Sequence, residues 1–234
     1  MVGRTAPGGR HGGRHGGATL VLLATLLAAT GCSTMHPGAA AVVGDTSIDA
    51  GAVDDIAAAY CSVTVAMGSP GIDQPTRDLR RGVLNALVER DIVSAAARKL
   101  GGVRIPEARV RELVDAQATF PQSAPAEDAG TVRDFLGDVA RTQLTLQQIG
   151  ERLLGEATAK PPSAEEAVAR GQRYVQRYAT GLDIEVDPRY GSYSPRGIDL
   201  ASGSLSVPVS TEAVQAEQGN LGPDAELPAS QTCA

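Results

Sequence analysis

Closely spaced carboxylates are the residues of this chain that come nearest to a catalytic or metal-binding pattern. Three groups occur in the sequence: Asp54-Asp55, Glu165-Glu166, and the alternating Asp183, Glu185 and Asp187. Neighbouring carboxylates can bind calcium or act as an acid and a base. None of these groups has the glycine and the terminal glutamate of a calcium-binding loop. We therefore interpret them as solvated faces of helices and strands, and the sequence predicts neither a metal site nor a cofactor.

Histidine is scarce in this chain, which contains only His11, His15 and His36. The first two lie within residues 1–31, which are interpreted below as a cleaved leader, and the third follows in a segment of small and polar residues. A serine or cysteine nucleophile commonly needs a histidine base, and a zinc site commonly needs several imidazoles. Since processing of the leader would leave one histidine, we expect that the protein is not an enzyme.

Residues 1–31 have the three parts of a secretory signal peptide. A start with three arginines is followed by a short apolar core and by small residues at the exit. The apolar stretch over 18–31 is fourteen residues long, whereas about 20 are needed to cross a bilayer. We therefore predict a cleaved leader rather than a transmembrane anchor.

The cysteine at position 32 is the residue with the clearest predicted chemistry. It follows Ala29, Thr30 and Gly31, and small residues at this place fit the cleft of a signal peptidase. The four residues resemble the lipobox of bacterial lipoproteins, with Ala29 in place of the usual leucine. The thiol of Cys32 would carry diacylglycerol with fatty acids such as palmitate, which implies an extracytoplasmic protein anchored to the cell membrane. An ordinary secreted product is the alternative.

Net charge narrows the range of partners. The leader holds three of the 21 Lys and Arg residues and none of the 27 Asp and Glu residues, so the mature chain keeps 18 bases against 27 acids. An acidic surface repels phosphates, which argues against a DNA or RNA partner. It also argues against attachment to anionic lipids through a basic patch, and this leaves the acyl chains on Cys32 as the membrane anchor.

Cys61 and Cys233 are the two remaining thiols, and on the oxidising side of the membrane they could form a disulfide. That bond would close a very long loop, for which chain-entropy models give about 4–5 kcal/mol. A buried free thiol at Cys61 with a frayed C-terminus is one alternative, and a bond between two molecules is another.

Apolar residues at steps of three and four predict about five helices and hence a mainly α domain. We expect these helices at about 49–66, 75–100, 107–118, 131–154 and 163–180. Asp49 can cap the first of them, and Ser163 with Glu166 forms a capping box at the start of the last. Residues 121–130 are expected to form a mobile loop.

Two short apolar segments at the ends of the helical region are predicted to be strands. Residues 40–43 lead to a turn at Gly44-Asp45, after which residues 46–48 are expected to enter the first helix; residues 182–187 alternate with a period of two. Because strands this short need a partner, we predict that the two pair as a small two-stranded sheet and close the helical bundle.

The chain therefore divides into four segments. We predict a lipoprotein signal peptide over 1–31, a tether over 32–39, a helical domain over 40–200 and a disordered tail over 201–234. The tether consists of small and polar residues, and the tail is too polar to form a core.

Tyr190 and Tyr193 follow the second strand in a turn-rich segment, where we expect both rings to be exposed. Two exposed aromatic rings could form a surface on which a peptide stacks. Packing of this turn against the helices is the alternative.

Three parts of the sequence resemble SurA-type extracytoplasmic chaperones. Residues 41–48 (Ala-Val-Val-Gly-Asp-Thr-Ser-Ile) are similar to the Val-Asn-Gly-x-x-Ile opening of that family. Residues 84–114 resemble its central helical hairpin, with Arg-Lys-Leu-Gly at 98–101 between the two helices. Residues 186–193 (Val-Asp-Pro-Arg-Tyr-Gly-Ser-Tyr) are similar to the Val-Asn-Pro-Arg-Tyr-Gly-Thr-Trp ending of lipoprotein relatives from actinobacteria.

The resemblance covers about residues 40–195 and implies a SurA N-terminal-like domain with a non-catalytic, chaperone-like role. The parvulin-type isomerase domain of many SurA relatives has no room between residues 154 and 163, so no isomerase activity is expected. The leading hypothesis is a lipid-anchored protein of the cell envelope that binds unfolded or exported polypeptides through apolar grooves. The alternative is a structural or adaptor lipoprotein that positions one specific envelope protein.

Overall fold

The computed structural model describes residues 37–68, 76–155 and 162–199, together with positions 211, 214, 215 and 233. The predicted signal peptide, Cys32 and most of the predicted tether and tail lie outside the described residues. Within the described part, no helix combines the length and the hydropathy that crossing a bilayer requires.

Helices dominate the described part of the chain, as the sequence predicted. In chain order they are α1 (Ala50–Ala66), α2 (Thr76–Lys99), α3 (Glu107–Asp115), α4 (Thr119–Gln122), α5 (Ala129–Gly155) and α6 (Ala164–Ala179). All except α4, which is a single turn, correspond to predicted helices. The mainly α fold class with about five helices is therefore confirmed.

The predicted N-terminal caps of the first and last helices, α1 and α6, are both present. Asp49 accepts a hydrogen bond from the backbone amide of Ala52 at 3.1 Å. At the start of α6, the amide of Glu166 donates to Ser163 Oγ at 3.2 Å, and the amide of Ser163 donates to Glu166 Oε2 at 2.9 Å. The hydrogen bond from the Ser163 backbone lowers the pKa of Glu166. These local bonds explain why the helix starts were readable from the sequence.

The segment between α3 and α5 differs from the prediction. The third helix ends at Asp115 rather than near residue 118, and Phe120 and Pro121, which follow the predicted helix, lie inside α4. Proline is tolerated there because the first amides of a helix have no intrahelical partner. Pro121 is buried, so tertiary packing supports this extra turn. The loop expected over 121–130 is shorter, since α5 already begins at Ala129.

A three-stranded antiparallel sheet closes the bundle. Its strands β1 (Ala39–Val43), β2 (Thr46–Asp49) and β3 (Ile184–Val186) lie in the order β2-β1-β3. The predicted pairing of the first and last strands is confirmed, with Val42 opposite Glu185.

The interpretation of residues 46–48 as a helix entry was wrong, because they pair with β1 as an added strand. Gly44 has a φ of +57° and, with Asp45, forms the two-residue turn that returns the chain. Such a turn joins two adjacent antiparallel strands directly.

A second hairpin, which the sequence did not reveal, follows the sheet. It consists of β4 (Ser192–Ser194) and β5 (Gly197–Asp199), paired antiparallel. Gly191 and Gly197 have φ values of +125° and +123°, which side-chain-bearing residues rarely adopt. A Cβ atom at Gly191 would also collide with the backbone of Asp199. The position of this hairpin therefore depends on two glycines.

The described residues form two apolar clusters, and α5 contributes to both. The larger cluster joins the sheet, the β4–β5 hairpin, α1, α2, α5 and α6 around Leu84, Ile149 and Val53. The smaller one joins α1, α3 and α5 around Val63 and Val132. Helix α1 also contributes to both clusters, but α5 contacts each of the other five helices and is therefore the central helix of the domain.

Candidate functional site

Two glycines allow α5 and α6 to approach closely. A Cβ atom at Gly150 would collide with the backbone of Ala167, and one at Gly171 would collide with the backbone of Leu146. The contacts are reciprocal, since each helix supplies a glycine that faces the other helix. This close packing places α6 beside Leu146, which lines both surface clefts described below.

The β4–β5 hairpin is attached to α2 by one side chain. Asn85 Oδ1 accepts a hydrogen bond from the backbone amide of Ile198 at 3.1 Å. A Cβ atom at Gly197 would lie 2.7 Å from the same oxygen, so a glycine is needed for the approach. Ile198 itself is buried. Asn85 therefore fixes the hairpin as a wall beside α2.

A cleft of about 250 Å³, which we call the hairpin cleft, opens between α2, α6 and this hairpin. Its floor is apolar and buried, and comprises Val88, Ile92, Leu146 and Val175. Its rim is exposed and polar, with Gln172, Gln176 and Arg196. An apolar floor with a polar rim is the arrangement of a site that binds an organic or peptide ligand from solvent.

A second cleft of about 530 Å³, the α3 cleft, lies between α2, α3, α5 and α6. Leu113 and Val168 line it from two sides. Glu89, Leu146 and Gln172 line both clefts, which therefore adjoin along α2. We refer to the two clefts together as the groove.

Glu89 and Tyr193 are the ionisable side chains whose surroundings in the hairpin cleft change their titration. Glu89 is accessible to solvent, but neighbouring protein atoms displace enough water to raise the pKa of its carboxyl group. Burial raises the pKa of Tyr193, and the negative charge of Glu89 raises it further. The two groups are therefore close enough to interact electrostatically.

A third cavity, of about 340 Å³, lies between α2, α5 and the segment before α3, and four of its five charged side chains pair with one another. Arg90 contacts Asp138 at 2.9 Å, Arg141 contacts Asp138 at 3.1 Å, and Arg141 also contacts Glu107 at 3.0 Å. Because these charges offset one another, this cavity is a weaker candidate for a ligand site than the groove.

The two tyrosines proposed as a peptide-stacking surface have different environments. Tyr190 is only 7% exposed and packs in the main core, so its assignment to a surface site was wrong. The turn folds back onto the sheet and helices, and burial of the large ring offsets the cost of ordering the segment. Tyr193 is half-buried and lines the hairpin cleft. One of the two aromatic residues therefore belongs to the candidate site.

The structure links Cys61 on α1 to Cys233 by a disulfide across 172 positions, with Cα atoms 5.0 Å apart. This spacing lies within the normal range for a disulfide. The bond fastens the end of the chain to α1. Cys32 lies outside the described residues.

The carboxylate groups singled out in the sequence are dispersed. Asp54 pairs with Arg80 at 2.7 Å, and Asp187 pairs with Arg189 at 2.9 Å. Glu166 is used by the helix cap. Among the described residues, no three Asp, Glu, His or Cys side chains converge in a way that could hold a metal ion.

Comparison with protein-family models, with curated proteins and with solved structures found no match to this chain.

The sequence did not single out the polar residues of the groove. Glu89, Gln172 and Gln176 lie on the hydrophilic faces of α2 and α6, where glutamate and glutamine are common. A usable signal was Gly171 in the interior of α6, four residues after Ala167, because small residues at this spacing allow close helix packing. That signal indicates the helix contact but not the cleft beside it.

Proposed function

We propose that this chain is a lipid-anchored, extracytoplasmic protein whose helical domain binds segments of unfolded polypeptide without catalysing a reaction. The observation that carries the proposal is the hairpin cleft, with its buried apolar floor and exposed polar rim. Non-native polypeptides expose apolar side chains next to unpaired backbone amides and carbonyls. The cleft offers a partner for each of these groups.

The chemistry of the cleft supports reversible binding. An apolar side chain of a client would lie on Val88, Ile92 and Val175, while the rim amides of Gln172 and Gln176 can bond to its backbone. Burial of one large apolar side chain contributes about 1.5–3 kcal/mol. A single cleft therefore gives weak and short-lived binding, as a protein that must release its clients requires.

The proposed anchor is the lipid on Cys32. The tether that precedes β1, residues 33–38, is short, and a flexible chain of that length has a root-mean-square reach of about 13 Å. Clients would thus be bound close to the membrane surface. In cell fractionation, the variant Cys32→Ser should leave the membrane and keep the thermal unfolding of the wild type. Retention of this variant in the membrane fraction would contradict the anchor.

Suppression of aggregation tests the binding activity. The processed protein is added to an aggregating client, and light scattering is followed with and without reductant. We expect less scattering with the wild type than without added protein. The variant Gln176→Trp should weaken this effect because the new ring fills the hairpin cleft. Arg173→Trp serves as the matched control, since Arg173 is also exposed on α6 but lies outside the cleft.

Two outcomes would contradict this function. If the wild type never reduces scattering, oxidised or reduced, the polypeptide-binding proposal fails. If a pull-down from envelope extracts instead yields one partner in equal amount and no binding to unfolded clients, the adaptor function replaces it.

A further inference from the structure

The hairpin cleft and the α3 cleft meet at one charged residue. Glu89 lines both of them, together with Leu146 and Gln172. A polypeptide segment that follows the groove along α2 must therefore pass the carboxylate of Glu89, whichever cleft holds its apolar side chain.

The Glu89 carboxylate has neither an ion-pair partner nor a hydrogen-bond partner among the described residues. Protein atoms around it remove part of its water shell, and the pKa of the group is raised for that reason. The ionised carboxylate therefore loses some of its bonds to water, and no ion pair or hydrogen bond within the described residues replaces them. A cation supplied by a ligand would provide that bond.

Two arginines also line the groove, and neither of them pairs with the carboxylate of Glu89. Arg109 lines the α3 cleft but pairs with Glu112 at 2.6 Å. Arg196 lines the hairpin cleft, but it is exposed on the tight turn of the hairpin, where water solvates its charge. Its guanidinium lies beyond ion-pair distance of Glu89. Glu89 is therefore the partly dehydrated and unpaired charge at the junction.

We propose that the groove selects polypeptide segments in which a Lys or Arg residue lies next to a large apolar residue. The apolar side chain occupies the hairpin cleft, and the cationic side chain pairs with Glu89. The inference rests on the proposed polypeptide-binding function and adds the chemistry of the preferred client. The mature chain has 27 acidic against 18 basic residues, and this negative net charge also favours the binding of basic segments.

Three labelled peptides test this selectivity. They are identical except at the position after a central leucine, which is Lys, Gln or Glu, and fluorescence anisotropy with the processed protein gives each Kd. We expect the Lys peptide to bind about fivefold more tightly than the Gln peptide, because an ion pair with a solvent-accessible carboxylate contributes modestly. The Glu peptide should bind most weakly.

Two variants separate the local effect of Glu89 from that of net charge. Glu89→Gln should remove the preference for Lys, so that this variant binds the Lys and Gln peptides with the same Kd. Glu165→Gln removes the same charge from an exposed position at the start of α6 and should retain the preference. Circular dichroism and thermal unfolding verify that both variants are folded.

The outcomes distinguish this inference from the function on which it rests. Equal binding of all three peptides would overturn the selectivity and leave polypeptide binding intact. A Lys preference that survives Glu89→Gln would overturn the role of Glu89. Binding of none of the peptides would overturn both proposals, as would a concentration-dependent dimer whose formation excludes the peptides, because a second copy would then be the occupant.

Discussion

Gly150 of α5 lies directly against the backbone of Ala167 in α6. The contact is repeated one turn away, where Gly171 of α6 lies against the backbone of Leu146 in α5. Neither position has space for even a methyl group. These two contacts fix the distance between the helices, and with it the position of Gln172 and Gln176 on the rim of the hairpin cleft.

Replacement of Gly150 by alanine should separate the two helices. The new methyl group collides with backbone atoms, which cannot rotate away as a side chain can. We expect the free energy of unfolding to fall by about 1–3 kcal/mol, although alanine favours the helix. Chemical denaturation measures the change.

Gly82 provides the matched control, because it lies within α2 and a Cβ atom there meets nothing within 4 Å. Gly82→Ala should raise the stability by about 0.5–1 kcal/mol. Equal effects of the two substitutions would contradict the close helix contact.

Replacement of Asn85 should loosen the hairpin. Asn85→Ala removes the acceptor for the Ile198 amide, and a buried amide without a partner costs about 1–3 kcal/mol. Hydrogen exchange at Ile198 should become faster, while Asn85→Asp, which keeps an acceptor oxygen, should retain much of the protection. Unchanged exchange in Asn85→Ala would mean that the hairpin is held by other contacts.

Reduction of the Cys61–Cys233 bond should destabilise the domain. A cross-link across 172 positions restricts the unfolded chain, and the entropy model gives about 5 kcal/mol as its contribution. Denaturation with and without reductant measures this difference, and the double variant Cys61→Ser/Cys233→Ser should match the reduced protein. A Cys61 that is alkylated in the denatured, unreduced mature protein would show that the bond does not form.

Glu89→Gln should stabilise the folded protein at neutral pH. The folded-state pKa of Glu89 is raised, so the folded protein holds this proton more tightly than the unfolded chain does. The resulting loss of stability is absent at low pH. It develops as the pH rises through the pKa of Glu89 in the unfolded chain and then through its higher pKa in the folded protein. The variant should therefore unfold at a higher temperature than the wild type at pH 7 and at the same temperature near pH 3. A difference that does not change with pH would contradict this account.

The long helices were predictable because their signals are local. Asp49 and the Ser163–Glu166 pair bond within three residues of themselves, so a cap can be read without knowledge of the fold. The pairing of β1 with β3 also followed, since each strand was too short to be stable alone. The strand β2 was missed because Ile48 is the only apolar residue among its four, and a single apolar residue gives no periodic pattern.

The candidate site was largely unpredictable because distant parts of the chain form it. The hairpin wall depends on Asn85, which meets Ile198 across 113 positions. Tyr190 and Tyr193 are only three residues apart, yet Tyr190 in the turn before β4 enters the core and Tyr193 on β4 lines the cleft. Sequence pattern alone gives no means to distinguish these two environments.

Site-specific photo-crosslinking tests the central claim, that the hairpin cleft binds unfolded polypeptide, most directly. A photoreactive amino acid replaces Gln176 on the cleft rim or, as a control, Arg133 on the exposed face of α5 outside the cleft. A defined, permanently unfolded polypeptide is then added before irradiation. We predict crosslinks from position 176 that an excess of the unlabelled polypeptide removes, and none above background from position 133. Equal crosslinking at both positions, or none at position 176, would contradict the account.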